Sequence, residues 1–131
     1  MANTTIPDST RNAISDAVAA LVDAGAGPGA LVYVAAGDVE VATLTFSDPA
    51  FGASAAGVAT ANAITSDSDA TGGDVVAGIL QDSDANEVIR GDASAAGGGG
   101  AFEITGGTLI PAGVTVSCSS LTITTPSSVS V

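Results

Sequence analysis

Apolar residues recur at helical spacing in one stretch near the N-terminus. The stretch contains Ile14, Val18, Leu21 and Val22, with alanines between them. This pattern predicts a helix over residues 9–24. We expect Asp8 or Ser9 to cap its first turn, and the Gly-rich run that starts at Gly25 to end it.

After Gly29 the helical period ends: residues 30–35 form a run of strand-forming residues, and from Val39 apolar residues alternate with polar ones, as they do in half-buried strands. Strands are predicted over residues 30–35, 39–46, 58–64, 75–80, 87–90, 102–105, 108–110 and 114–123. The alternation changes phase between Val41 and Ala42, which predicts a bulge or two short strands. Tight turns are predicted at Gly37-Asp38 and over residues 82–86, and loops over residues 65–73 and 93–100.

These elements predict a mainly β fold, a compact β-sandwich or barrel of short antiparallel strands with one N-terminal helix. Residues 1–8 are predicted to form an extended arm, because Pro7 disfavours a helical conformation at Ile6. The 131-residue length fits one domain, and we expect residues 9–131 to form it.

The composition predicts a core of small side chains. Aromatic residues make up 3% of the chain and there is no Trp. Small side chains bury little area each, and burial contributes about 25 cal/mol per Å². We therefore expect a modestly stable monomer that gains from burying more surface in an assembly.

The charge balance excludes several functions. The chain has 14 acidic residues, two arginines, no Lys and no His, for a net charge of -12. Binding to nucleic acid or to an anionic membrane needs more cations than these. No histidine-based triad or Schiff-base lysine is possible, and Cys118 is expected to be structural. We expect no enzymatic activity and no cofactor, and the polar N-terminus and the absence of a long apolar run predict neither a signal peptide nor a transmembrane helix.

Charge is absent from the C-terminal part of the chain. All 14 acids lie between Asp8 and Glu103, and residues 104–131 carry no charged side chain. One interpretation is a central strand pair in the core, and the other is a face covered by another subunit, since interface cores are depleted in charge. The interface candidates are Ala2, Asn3, Thr4, Thr5, Ile6, Leu121, Ile123 and Val129.

Two acidic groups raise the question of a hard cation. Asp82, Asp84 and Asn86 match the first three ligand positions of an EF-hand loop. The match fails at Glu87, where a glycine is needed, and at Ala93, where a glutamate is needed. A looser group contains Asp67, Asp69 and Asp74. At both places a solvated turn is favoured over a calcium site, and we expect no metal.

Several segments resemble small proteins encoded in tailed-phage genomes, most of them of unknown function. The resemblance covers the end of the predicted helix at residues 23–27, then residues 44–52 and 61–67. An Asp-Ser-Asp turn at residues 82–84, a Gly-rich stretch, and a closing Leu-Thr-Ile-Thr with Pro126 complete it. The chain departs from that pattern after the turn, where Ala85 and Asn86 replace a frequent glycine.

The resemblance implies a virion structural protein. We expect a head decoration or cement protein on the outer surface of the phage head, bound to the major capsid protein and to copies of itself as a homotrimer. The alternatives are a tail, connector or fibre-associated subunit, a carbohydrate-binding or adhesin-like module, and a shell protein in its own right. The shortage of aromatic residues, which stack on sugars, weighs against the carbohydrate-binding alternative.

Overall fold

The computed structural model describes residues 4–128, and its single described helix, α1, spans Asp8–Val22. The predicted helix is confirmed, although it ends two residues earlier. The predicted N-cap is wrong: Pro7 occupies the N-cap position in an extended conformation and makes no side-chain hydrogen bond. Asp8 is instead the first helical residue, where its negative carboxylate is attracted to the positive end of the helix dipole.

The helix packs its small residues inward. Ser15, Ala19 and Val22 are buried, whereas Ile14 and Leu21 are exposed. The apolar stripe expected from the larger side chains is therefore partly wrong. Small side chains on the buried face allow the helix backbone to lie close to the strands beneath it.

The described chain is mainly β, as predicted. The strands are β1 Ala30–Ala35, β2 Val39–Phe46, β3 Val58–Thr60, β4 Ile64–Thr65, β5 Gly73–Asp74, β6 Ala77–Gln81, β7 Glu87–Ala95, β8 Phe102–Ile104, β9 Leu109–Ile110 and β10 Thr122–Thr124. Six of them form a curled sheet, a half-barrel, in the order β4-β2-β1-β6-β7-β8. Two smaller sheets pair β10 with β3 and β5 with β9. The division of the chain into an arm and one domain stays a prediction.

The first hairpin has the predicted turn and the predicted bulge. Gly37 and Asp38 both have positive φ, 80° and 59°, in the three-residue turn between the paired Ala35 and Val39. Tyr33 pairs with Ala42 and Val34 pairs with Glu40, so Val41 has no opposite residue. The bulge lets the adjacent Val41 and Ala42 both be buried in the same core.

Two predicted strands are wrong in extent. The strand expected over residues 58–64 is split into β3 and β4. Of the strand expected over residues 114–123, only Thr122–Thr124 is a regular strand, and Val116 forms an isolated bridge with Asp67. The alternation there reflects side chains that point inward, since Val116 is buried, but the segment lacks a continuous partner strand.

The strands β7 and β8 correct the expectation that every strand pair is antiparallel. They pair in parallel, with Ala93 opposite Phe102, and β7 extends through three residues of the predicted 93–100 loop. The six residues between the end of β7 and the start of β8, which include a glycine run, bring the chain back to the start of the parallel pair. A Cβ at Gly100 would lie 2.9 Å from the Ser94 amide nitrogen, so the return requires residues without side chains.

The core fills one face of the curled sheet. Its largest fully buried side chains are Phe46, Leu31, Leu44, Leu80, Val22, Val41 and Val75. Gly78 in β6 and Gly91 in β7 make room for the ring of Phe102, which packs edge-on against Tyr33 at 6.0 Å. A smaller cluster formed by Val32, Val34, Ala77 and Ile79 lies on the opposite face of β1 and β6. Burial on both faces accounts for the continuous apolar run of β1.

Candidate interaction surface

Apart from Ile104, which ends β8, the described residues of the uncharged part of the chain lie outside the six-stranded sheet. Its two described strands, β9 and β10, pair only with the short strands β5 and β3. The interpretation of residues 104–131 as a central strand pair is therefore wrong for the described residues. The segment instead runs beside the open side of the half-barrel, where the Val116 bridge and the Leu121 carbonyl tie it to Asp67 and Ala61.

This segment exposes apolar side chains. Leu109 is 73% exposed and Val114 is 38% exposed, although neither has a charged neighbour in the segment. Exposure of leucine and valine side chains to water is unfavourable, and their burial against a partner would contribute about 25 cal/mol per Å². The segment thus combines an absence of charge with exposed apolar area.

A groove of about 400 Å³ borders the uncharged segment. One wall is formed by residues 103–107 and another by residues 114–120. Tyr33, Val116 and Cys118 line it, and Glu103 is its one charged lining residue. The sequence analysis did not find this groove, because its walls come from separate segments and only their shared lack of charge marked them.

Tyr33 brings a polar group to the groove. The residue is 6% exposed and lines the groove. Burial, together with the nearby Cys118, raises the pKa of Tyr33 to about 12, so the hydroxyl stays protonated and can donate a hydrogen bond at neutral pH. Burial also raises the pKa of the Cys118 thiol, which agrees with its expected structural role.

The predicted interface residues occupy two different environments. Thr5 is exposed, Thr4 and Ile6 are half-buried, and the Ile6 amide donates to the Ser127 carbonyl at 2.8 Å. Leu121 and Ile123 are half-buried and pack against the core. Ala2, Asn3 and Val129 lie outside the described residues. The described arm residues are thus brought to the C-terminal segment, while Leu121 and Ile123 turn inward.

The Asp82 turn is held by its own hydrogen bonds. Asp82 Oδ1 accepts from the backbone amides of Asp84 and Asn86, and Oδ2 accepts from Asn86 Nδ2, each at 2.9 Å. Hydrogen bonds from Asn86, first its side chain and then its backbone, lower the pKa of Asp82. Both oxygens are therefore engaged in closing the β6–β7 hairpin, the predicted turn.

The looser acidic group also forms structural hydrogen bonds. Asp67 accepts from the amides of Thr43 and Asp69, which lower its pKa, and Asp74 accepts from the Thr108 hydroxyl. No group of three or more His, Cys, Asp or Glu side chains suited to a metal ion occurs among residues 4–128. The calcium alternative at residues 82–86 has no structural support there.

Both arginines are bound to carboxylates. Arg90 contacts Asp38 through two nitrogens, at 2.6 and 3.0 Å, and Glu87 at 2.7 Å. Arg11 contacts Asp8 at 2.9 Å and donates to the Thr125 carbonyl. The remaining acids therefore give the surface a negative potential outside the uncharged segment.

The chain was compared with known proteins. No family model, curated protein or solved structure matches it. The resemblance to phage proteins therefore stays a prediction. Within the described part of the chain, the helix is too short and too polar to cross a bilayer.

Proposed function

We propose that the chain is a phage virion structural protein, a head decoration protein that binds the outer surface of the capsid. The observation that carries the proposal is the uncharged segment beside the open half-barrel, with Leu109 and Val114 exposed in a molecule of net charge -12. Interface cores are depleted in charge in the same way.

The function is mechanical. A decoration protein bridges neighbouring shell subunits, so the area that it buries must be exposed again before those subunits separate. The uncharged segment would form the contact, and the acidic remainder of the surface would face solvent and keep particles apart from one another.

The location of the protein in the virion tests the proposal. Virions would be purified by density gradient, heads would be separated from tails, and the copy number of the chain would be measured in each fraction by mass spectrometry. We expect high copy number in heads, and expect heads that lack the protein to release DNA at lower temperature. Recovery in tails, or absence from virions, would overturn the proposal.

Adding purified variants to heads that lack the protein tests which surface of the molecule makes the contact. Leu109→Asp is expected to abolish the gain in heat tolerance of heads that lack the protein, because it places a charge in an apolar contact. Val39→Asp is the matched control, since Val39 is 60% exposed and belongs to β2, outside residues 104–131. Equal protection by both variants would exclude the uncharged segment as the contact.

A further inference from the structure

Both walls of the groove present main-chain groups that make no main-chain hydrogen bond to another described residue. Within residues 4–128, the amides and carbonyls of Thr105, Thr115 and Ser117 make no main-chain hydrogen bond. Val116 exchanges both of its hydrogen bonds with Asp67, at 2.8 and 3.0 Å. Because an extended chain directs the groups of successive residues to opposite sides, Thr115 and Ser117 point away from Asp67.

The opposite wall is the outer edge of the sheet. The Ile104 carbonyl accepts from the Ala96 amide, so Ile104 faces the β7 side. The amide and carbonyl of the preceding residue, Glu103, therefore face outward, as the alternation in a parallel pair requires. An edge strand with free amides and carbonyls is a template for one more strand.

We propose that this groove receives an extended strand of the shell protein, neutral or basic in sequence, which hydrogen-bonds to the main-chain groups of both walls. The inference rests on the proposed function, because the shell protein supplies the strand. Strand addition obtains affinity from main-chain hydrogen bonds and specificity from alternate side chains. Here the alternate side chains would enter the groove beside Val116 and Cys118, and the Tyr33 hydroxyl would donate to the strand.

The negative charge of the groove and of the molecule indicates which kind of strand can bind. Glu103 is the one charged residue that lines the groove, and the molecule around it has a net charge of -12. An acidic strand would meet like charge at Glu103, whereas a neutral or basic strand would not. A second copy of this acidic chain would bring the same net charge to the contact, so the shell protein is the better occupant.

Amide hydrogen exchange on intact decorated heads tests strand addition. Peptides that cover residues 103–106 and 114–118 are expected to exchange about tenfold more slowly in heads than in the free protein, because new hydrogen bonds protect their amides. The peptide that covers the β1–β2 turn, around Asp38, is the internal control and should not change.

The single cysteine gives a second readout. Cys118 lines the groove and is half-buried, and it is the only thiol in the chain. Its alkylation by N-ethylmaleimide at pH 8.5 should be slower in decorated heads than in free protein. Val114→Asp should weaken binding to heads by about tenfold, since a desolvated charge is costly, while Val39→Asp should bind like wild type.

The outcomes separate the two proposals. If the protein is found in heads but both walls and Cys118 react as in the free protein, strand addition is overturned and the decoration function stands. If only side-chain burial is seen, with Cys118 protected and the wall amides unchanged, a small molecule or a side-chain contact fills the groove and strand addition is overturned. If the protein is absent from heads, both proposals fail. Hydrogen exchange on heads decorated with the wild-type protein tests strand addition even if Val114→Asp fails to fold.

Discussion

At the scale of single residues, one buried polar cluster connects the helix to the rest of the fold. Ser15 Oγ donates to the Gly57 carbonyl at 2.8 Å and lies 2.7 Å from Thr125 Oγ1. Asn12 accepts from the Gly57 amide, and Arg11 donates to the Thr125 carbonyl at 3.1 Å. The cluster satisfies the polar groups that burial of a small-residue helix face would otherwise leave without partners.

Ser15→Ala is expected to destabilise the protein by about 1–3 kcal/mol, because it leaves the buried Thr125 hydroxyl without a partner and removes one of the two hydrogen bonds to the Gly57 carbonyl, whose other donor is the Thr125 amide. The free energy of unfolding, measured by urea titration, checks this. Ser9→Ala is the control, since Ser9 is an exposed serine of the same helix. Equal effects of the two substitutions would contradict the role of the cluster.

Asp82→Asn tests the carboxylate that closes the β6–β7 turn. The pKa of Asp82 is lowered in the folded chain, so its stabilisation is present above the unfolded pKa of about 3.9 and is lost as the pH falls through the folded value. The variant should be less stable than wild type at pH 7, and the difference should shrink as the pH falls below about 4. The melting temperature across this range is the measurement.

The control for that change is Asp84→Asn in the same turn, where the backbone amide rather than the side chain makes the hydrogen bond to Asp82. It should leave the stability difference between pH 7 and pH 3 close to that of wild type. A pH profile of Asp82→Asn that runs parallel to wild type would show that the carboxylate does not stabilise the turn.

At the scale of elements, glycines and turns decide how the strands are arranged. Gly78 and Gly91 let the ring of Phe102 lie over the sheet, and the glycine run before β8 brings that strand back parallel to β7. The β6–β7 turn, in contrast, places Ala85 at φ 65°, a conformation that favours glycine.

Gly78→Ala is expected to cost about 1–3 kcal/mol, because the new methyl group overpacks the core. Its Cβ would lie 2.7 Å from the Phe102 ring. Adding Phe102→Leu should recover part of the loss if this contact is its source. Gly27→Ala serves as the control, since nothing lies within 4 Å of its Cβ position. Denaturant unfolding of the three variants provides the comparison.

Ala85→Gly is expected to stabilise the hairpin by up to about 1 kcal/mol, since it removes the cost of a left-handed alanine. Ala26→Gly is matched to it as an exposed loop alanine without positive φ, and should be neutral or slightly destabilising. Thermal unfolding at neutral pH distinguishes the two. A loss of stability in Ala85→Gly would mean that the turn tolerates alanine without strain.

At the scale of the whole molecule, the acidic surface opposes the compact state. Fourteen acids face two arginines, and both arginines already bind carboxylates. The core is made mostly of Leu, Val and Ala, with few aromatic rings. Its burial therefore contributes little stabilising free energy to offset the repulsion among the acidic side chains. Surface contact with a partner through the uncharged segment would add burial without adding repulsion.

Salt is therefore expected to raise the melting temperature of the free protein. Raising NaCl from 10 mM to 0.5 M shortens the Debye length from about 30 Å to about 4 Å and screens the repulsion among the acids. The triple variant Asp48→Asn, Asp69→Asn and Asp84→Asn should show a smaller rise, because it carries less charge to screen. A salt response equal to that of wild type would argue against self-repulsion.

The sequence by itself determined the elements whose signals are local. The helix, the Gly37-Asp38 turn, the bulge at Val41 and the turn closed by Asp82 each depend on residues within a few positions of one another. Backbone preferences, capping and short-range hydrogen bonds act at that range, so the pattern along the chain is sufficient. The absence of charge in residues 104–131 was equally visible, and it marked the segment that borders the groove.

Only the tertiary structure decided how distant segments meet. The alternation of residues 114–123 indicated a strand, yet Val116 is bridged only to Asp67, and the regular strand is confined to Thr122–Thr124. The parallel return of β8 and the groove between residues 103–107 and 114–120 depend on the same long-range pairing. Strand partners are chosen by competition among edges that are far apart in sequence, and the curl of the sheet around Phe102 determines which edges remain open.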